Sequence, residues 1–224
     1  MTFYNGLLNT IFPALLKPMT DVHNARIRVP YFFNLNKQHS FENIINKPNR
    51  FFIEHSLYNN HLFPLESIIR SNPDFSLSLT TRSCYNHKIA PIITKTVCSH
   101  FNIPQQYTIP ITTCMHEALI NSVVHGNLKI GGHFKNQKNF ESYYQEVQDK
   151  LADPQLAAKY VNILLWYKSH RLILSISDEG QGSPLLNYTP DFLPYGRGLI
   201  LIQSLANKVW VGEDNHTLFM AFEW

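Results

Sequence analysis

The chain has few charged residues and few cysteines for its length of 224 residues. Charged side chains make up 16% of it, the formal net charge is +3, and no dense run of Lys or Arg occurs, which argues against direct binding of nucleic acid. The three cysteines lie far apart and form no Cys-x-x-Cys pair, so neither a zinc site nor a disulfide framework is indicated. We expect buried thiols in a reducing cytosol.

Long hydrophobic runs are also missing. No uninterrupted apolar stretch approaches the roughly 20 residues that a membrane-spanning helix requires. The start of the chain, MTFYNGLLNTIFPALLK, has no basic residue ahead of its apolar patch and is interrupted by Asn, Gly and Pro, which is not typical of a signal peptide. We therefore expect a cytoplasmic protein with no membrane span, and its 44% of hydrophobic residues can form one sizeable core.

The order of the predicted elements indicates the fold class. Residues 1–73 show no clean periodicity, and their many aromatics predict packing onto the rest of the chain or onto a second copy in a homodimer. From residue 74 the patterns indicate a strand, two helices, a polar segment with a short amphipathic helix, two strands, a loop, a third helix and two strands. We predict an α+β fold: a two-layer α/β sandwich whose mixed, mostly antiparallel sheet is covered on one face by helices, with an N-terminal extension.

The stretch EALINSVVHGN, residues 117–127, combines an apolar helix with a narrow polar line. Glu117, Asn121 and His125 stand four residues apart and fall within about 80° of one another on a helical wheel. A carboxylate, an amide and an imidazole can position a cation and a water. The line is either a solvated edge without a task or a polar face turned toward a ligand between helix and sheet.

The stretch SDEGQGS, residues 177–183, ends a predicted strand. By strand parity Asp178 shares a face with the alternate apolar residues before it and points under the helices. A carboxylate there is costly unless a donor meets it, and the amino group of a purine would do so. Gly180 and Gly182 permit close backbone approach, although a plain Asp-x-Gly turn would have the same sequence.

The stretch YGRGLILIQSLA, residues 195–206, places two glycines before an apolar helix. Gly196 and Gly198 give the backbone freedom at the point where a helix start leaves N–H groups free. Such a start is an anion site that suits phosphate. The alternative is a glycine-containing loop that only precedes a core helix.

Taken in order, the three stretches resemble the N-box, G1 box and G2 box of the GHKL (Bergerat-fold) ATPases. The first and third are similar to the anti-sigma-factor serine-protein kinases, which carry a histidine kinase-like ATPase domain. The resemblance covers residues 74–224, with 129–160 as an insertion between the N-box and the G1 strand pair, and residues 1–73 are an extension of unknown role. It implies a partner-switching kinase that phosphorylates a STAS-domain antagonist, with a sigma factor as a second partner.

The resemblance also implies a role for individual residues, with ATP and Mg²⁺ as the cofactors. Glu117 would be the general base and Asn121 the magnesium ligand. The implied nucleotide contacts are Asn121, His125, Asp178, Gly180, Gly182, Gly196, Arg197, Gly198, Leu199 and Thr217. Within this set Asp178 would bond the adenine amino group, Thr217 would hold adenine through a water, and Arg197 would either reach a phosphate or lie on the surface.

Two other functions fit the same stretches. One is a non-catalytic, nucleotide-gated adaptor that captures a partner without transferring phosphate; the presence of both Glu117 and Asn121 argues against it. The other is the catalytic fragment of a histidine kinase. That class needs a phosphoacceptor histidine in a dimerising helical hairpin, and the sequence before residue 74 shows no such pattern.

Overall fold

The computed structural model describes residues 30–35, 41–47, 49–58, 68, 71–131, 138–180 and 197–224. Within these ranges the chain forms one seven-stranded sheet and seven α-helices, so the predicted α+β class is confirmed. The strands are β1 Tyr31–Phe33, β2 Phe51–Glu54, β3 Phe75–Thr80, β4 Tyr160–Lys168, β5 Arg171–Asp178, β6 Lys208–Val211 and β7 Thr217–Glu223. The helices are α1 Phe41–Ile45, α2 Thr81–Asn86, α3 Ile89–Phe101, α4 Thr108–Asn121, α5 Lys138–Ala152, α6 Pro154–Ala158 and α7 Arg197–Leu205.

The sheet is mixed, with the order β1-β2-β3-β4-β5-β7-β6. Its first three strands run parallel to one another, and every later pairing is antiparallel. The two predicted strand pairs form as hairpins. In the first, Ser169 and His170 both have positive φ angles, 50° and 60°, which is the backbone of a two-residue turn whose twist matches the flanking strands.

The hydrophobic core lies between the sheet and the helical layer. Alternate residues of the central strands are fully buried on this face because side chains of a strand alternate between its two sides: Leu77, Leu79, Val161, Ile163, Leu165, Leu172, Leu174, Met220 and Phe222. Helices α3, α4 and α7 supply the opposing side with residues such as Ile93, Ile111 and Ile202. A second small cluster, in which Phe51 and Ile68 pack with Ile53 and Leu164, forms apart from this core.

Strands β1 and β2 extend the same sheet to the N-terminal side of residue 74. Phe52 on β2 is fully buried in the main core, and its ring lies 5.8 Å from that of Phe75 on β3. The described part of residues 1–73 therefore packs against the rest of the chain. The division at residue 73 into an extension and an ATPase domain stays a prediction.

The polar segment 129–160 holds helices α5 and α6. Val147 and Leu151 of α5 are buried, and Lys150 on the same helix donates to the Leu128 carbonyl over 2.8 Å.

No helix of the described ranges is long and apolar enough to cross a membrane. Cys84, Cys98 and Cys114 are all free and buried, as predicted.

Candidate functional site

Helix α4 carries the polar line, and the chain stays helical beyond the last α-helical residue. Residues Ser122–Asn127 continue it as a π-helical turn, in which the Leu128 N–H donates to the Val123 carbonyl over 2.9 Å. Such turns are rare and frequently occur at functional sites. Glu117 and Asn121 are half-buried on the α-helical part, whereas His125 is exposed on the turn.

Glu117, Asn121 and Gly198 form the first group of the site, called here the Glu117 cluster. Gly198 is the second residue of α7 and lies directly against the side chains of α4. A Cβ atom on Gly198 would lie 2.6 Å from Oε2 of Glu117 and 3.6 Å from Nδ2 of Asn121. Two stretches about 80 residues apart in the sequence thus meet at the start of α7, where backbone N–H groups of the first turn lack helical partners.

Gly126, Asp178 and Gly180 form the second group, called here the Asp178 cluster. Asp178 lies under the helical layer, as strand parity predicts, because a Cβ atom on Gly126 would lie 2.4 Å from its Cγ. The Gly180 N–H donates to Asp178 Oδ1 over 2.9 Å. A Cβ atom on Gly180 would lie 2.6 Å from the Gly126 carbonyl oxygen. The two glycines therefore allow a contact that no other residue type permits without displacement.

The Asp178 carboxylate is held in a desolvated position. Burial raises its pKa above its usual range, because the charged form loses hydration. Hydrogen bonds from the Gly180 N–H and the Ser122 hydroxyl favour the charged form. The nearby charges of His216 and Lys159 act in the same direction and only partly offset the burial.

Two predicted contacts are turned elsewhere. Nδ1 of His125 donates to the Ile130 carbonyl over 2.7 Å, toward the segment that follows the π-helical turn. The Thr217 hydroxyl donates to Asp214 Oδ2 over 2.6 Å, within the turn that joins β6 and β7. Thr217 nevertheless pairs with Ser177, the residue before Asp178, across β5 and β7.

Part of the predicted phosphate and adenine contacts falls outside the described chain. Gly182, Gly196 and the loop predicted between them lie outside the described residues. Arg197 begins α7, but its side chain is not described. Leu199 is half-buried in the first turn of the same helix.

Sequence reasoning missed two residues that shape the Asp178 cluster. Ser122 donates to Asp178, yet it reads as an ordinary helix residue. Asn127 is fully buried and accepts the Glu179 N–H over 2.8 Å. An Asn directly after Gly126 looks like the end of a helix, so its burial could not be read from the sequence.

The donor set of the Glu117 cluster fits a magnesium ion that is bound mainly by phosphate and water. Among the described residues no group of three or more His, Cys, Asp or Glu side chains could hold a metal by itself. Mg²⁺ keeps several waters and is commonly held by one or two protein oxygens together with phosphates. The amide oxygen of Asn121, beside the Glu117 carboxylate, suits that mode.

A cavity of about 600 Å³ lies elsewhere in the molecule, between α1, α3 and the start of β3. Its lining includes Lys47, Arg50, Lys95 and His100, and it contains no residue of either cluster. We place the candidate site at the two clusters instead, because polar groups from distant parts of the sequence converge there. Volume alone does not identify a site.

The two clusters are consecutive on one helix and its π-helical turn, so together they define one candidate site at the edge between the helical layer and the sheet. The site has the half-buried carboxylate of Asp178 on one side and a helix start on the other. No protein-family model matches this chain, and no curated protein matches it either.

Proposed function

We propose that the chain binds Mg-ATP at the two clusters, in a fold of the Bergerat type, and transfers the γ-phosphate to a serine of a protein partner. The observation that carries the proposal is a convergence in space. Gly198 contacts Glu117, and Gly126 and Gly180 contact Asp178, so the stretches that resemble the N-box, G1 box and G2 box meet as a nucleotide site requires.

The Asp178 cluster supports recognition of adenine. The carboxylate is desolvated and already accepts the Gly180 N–H. An exocyclic amino group would supply a further donor, and a hydrogen bond to a charged acceptor is stronger than one between neutral groups. The base can approach closely because Gly126 and Gly180 place no side chain in this part of the site.

The Glu117 cluster supports the phosphate end. Backbone N–H groups in the first turn of α7 favour an anion, and the oxygen of Asn121 would hold Mg²⁺, which neutralises phosphate charge. In the transfer, the serine oxygen bonds to the γ-phosphorus while the bond from that phosphorus to the leaving ADP oxygen breaks. The Glu117 carboxylate accepts the serine proton.

The partner is proposed from the resemblance alone. A STAS-domain antagonist in the cytoplasm would offer the acceptor serine, and a sigma factor would be the second protein held by the same chain. Among the described residues of the N-terminal part, Phe33, Phe41 and Phe52 are buried in the main core. In the proposal the partner reaches the phosphate end from the side of the helical layer.

The test uses labelled ATP, the purified full chain and a panel of STAS-domain proteins. We expect label on an acid-stable phosphoserine of one STAS protein. Glu117→Ala should abolish the transfer and keep Mg-ATP affinity within about threefold, because a base acts on the transition state rather than on binding. His116→Ala, an exposed neighbour on α4, is the matched control and should transfer normally.

The other outcomes separate the alternatives. Nucleotide binding without transfer to any STAS protein would favour the non-catalytic adaptor. Acid-labile label on the chain itself would favour a histidine kinase fragment. Absence of nucleotide binding by the wild-type chain would overturn the proposal as a whole.

A further inference from the structure

Asn127 lies at the centre of a buried polar arrangement beside the Asp178 cluster. Its relative exposure is 0%, and every polar atom of its amide is used. Nδ2 donates to Thr81 Oγ1 over 2.8 Å and to the Tyr160 carbonyl over 3.1 Å. Oδ1 accepts the Glu179 N–H over 2.8 Å. A buried amide with both its N–H donors and its oxygen in hydrogen bonds is strongly fixed in orientation.

The arrangement closes into a ring that reaches the N-terminal part of the sheet. The Tyr160 hydroxyl donates to the Glu54 carbonyl over 2.8 Å. The Glu54 carboxylate, 3% exposed, accepts the Thr80 N–H over 2.8 Å and the Ser83 hydroxyl over 2.6 Å. Thr81, which follows Thr80, accepts from Asn127 and completes the ring. Strands β2 and β4, helix α2 and the π-helical turn are thereby joined.

Asn127 touches the Asp178 cluster from two sides. Its backbone follows Gly126, the residue whose missing Cβ makes room for the Asp178 carboxylate. Its side chain holds the Glu179 N–H, the first backbone group after Asp178. Asn127 therefore links the π-helical turn directly to the end of β5, where Glu179 also accepts from the Tyr160 N–H and from Lys159. This link helps to fix where the Asp178 carboxylate stands.

We infer that Asn127 is a positioning residue that fixes the Asp178 carboxylate for selection of adenine over guanine, an inference that rests on the proposed function. Adenine presents an amino donor at the position where guanine presents a carbonyl oxygen. A fixed carboxylate accepts from the first and repels the second. When the Glu179 N–H loses its bond to Asn127, the turn after Asp178 is held less firmly, and selection between the two bases weakens.

The test compares Asn127→Ala with Thr81→Val in the full chain. Thr81→Val removes the ring hydroxyl and costs stability, but it leaves the bond between Asn127 and the Glu179 N–H in place. Affinities for Mg-ATP and Mg-GTP are measured by calorimetry and corrected for the folded fraction from thermal melts. We expect Asn127→Ala to lower the ATP-over-GTP preference about fivefold, the effect of one lost hydrogen bond, and Thr81→Val to change it less than twofold.

A second variant covers a failure of Asn127→Ala to fold. Asn127→Ser places a smaller polar group in the same space, where its hydroxyl is too short to reach the Glu179 N–H, and it should lower the preference in the same direction. Hydrogen exchange of the Glu179 amide should quicken in either Asn127 variant and stay slow in Thr81→Val.

The outcomes distinguish this inference from the proposed function. If the wild-type chain binds neither nucleotide, the proposed function fails and this inference fails with it. If the wild-type chain prefers ATP but the Asn127 variants keep that preference, this inference alone is wrong. A loss of preference that follows stability equally in the Asn127 and Thr81 variants would also overturn it, since it would show a structural role only.

Discussion

The two clusters of the candidate site differ in how firmly the protein holds them before any ligand is present. In the Asp178 cluster, backbone atoms of Gly126 and Gly180 are in close contact and the carboxylate accepts a backbone N–H. In the Glu117 cluster, the described residues make no hydrogen bond to the Glu117 or Asn121 side chains, and a Cβ atom on Gly198 would approach only the ends of these two side chains. The first is held in place by its own contacts, and the second has room to rearrange. In the proposed function this difference would separate a preformed adenine contact from a phosphate end that adjusts to its ligand.

The largest effect is expected from Gly126→Ala. The added methyl group would lie 2.4 Å from Cγ of Asp178 and must displace the carboxylate, because close-packed neighbours leave no other space. We expect Mg-ATP affinity to fall by roughly a hundredfold, as for loss of a hydrogen bond to a charged group. We also expect a stability loss of about 1–3 kcal/mol from overpacking.

Calorimetry and thermal melts measure both quantities. Thr81→Val is the control, since it removes a buried hydrogen bond and costs stability without adding an atom to either cluster. Near-normal affinity in Gly126→Ala would mean that the Asp178 cluster is not as rigid as its contacts indicate.

The next largest effect is expected from Asp178→Asn, which should separate binding from stability. The neutral amide cannot accept from adenine as a carboxylate does, so affinity should fall roughly tenfold. Stability without nucleotide should stay equal or rise, because burial raises the pKa of Asp178 and so disfavours its charged form. A titration at pH 7 with a parallel melt checks both signs, and unchanged affinity would remove Asp178 from the adenine contact.

Gly198→Ala changes the Glu117 cluster, and it should lower the rate of transfer rather than the affinity for nucleotide. The methyl group would meet Oε2 of Glu117 at 2.6 Å, and this carboxylate can move aside at little cost. We expect the phosphotransfer rate to fall about tenfold because the base is misplaced. Mg-ATP affinity and stability should change little.

A double mutant sharpens this prediction. In a Glu117→Asp background, whose shorter carboxylate keeps some transfer, the same Gly198→Ala change should have a smaller effect on the rate, since the carboxylate lies farther from the added methyl group. Independent losses in the double mutant would show that Gly198 acts through something other than Glu117.

The smallest effect concerns pH. The ionised carboxylate of Asp178 accepts from an amino group more strongly than the protonated carboxyl does, and burial raises its pKa above the ordinary value of 3.8. Affinity for Mg-ATP should therefore begin to fall at a higher pH than for an ordinary aspartate, by a few-fold as the pH approaches the raised pKa. The contribution of the same group to stability has the opposite sign: it declines as the pH rises from 3.8 through the raised pKa.

Affinity titrations from neutral to mildly acidic pH measure this dependence, and Asp178→Asn is the reference. The variant should give a flatter profile. Parallel profiles for the two proteins would assign the dependence to another group.

The sequence predicted the elements whose pattern is local. The alternation in RLILSISD placed Asp178 under the helices, and the apolar spacing in the stretch that became α4 predicted that helix. It could not predict β1 or β2, because strands of three and four residues carry too little alternation and their parallel pairing joins distant segments. The small hydrophobic cluster around Phe51 and Ile68 depends on that pairing, so the sequence could not predict it either.

The site was predicted in outline and missed in its supports. The approach of Gly198 to Glu117 followed only from the order of three motifs, since no local pattern links two helices. The π-helical turn could not be predicted from the sequence, because the apolar spacing of α4 continues through Val123 and Val124. The burial of Asn127 could not be predicted, since its partners come from three separate segments of the chain: Thr81, Tyr160 and Glu179.

The proposed function requires that the two clusters together bind one magnesium-bound adenine nucleotide. Calorimetric titration of the wild-type chain and of Asp178→Asn with Mg-ATP at pH 7 tests it most directly. We expect a saturable heat for the wild-type chain and weaker binding, by roughly tenfold, for the variant. Absence of any binding heat for the wild-type chain at millimolar Mg-ATP would contradict it.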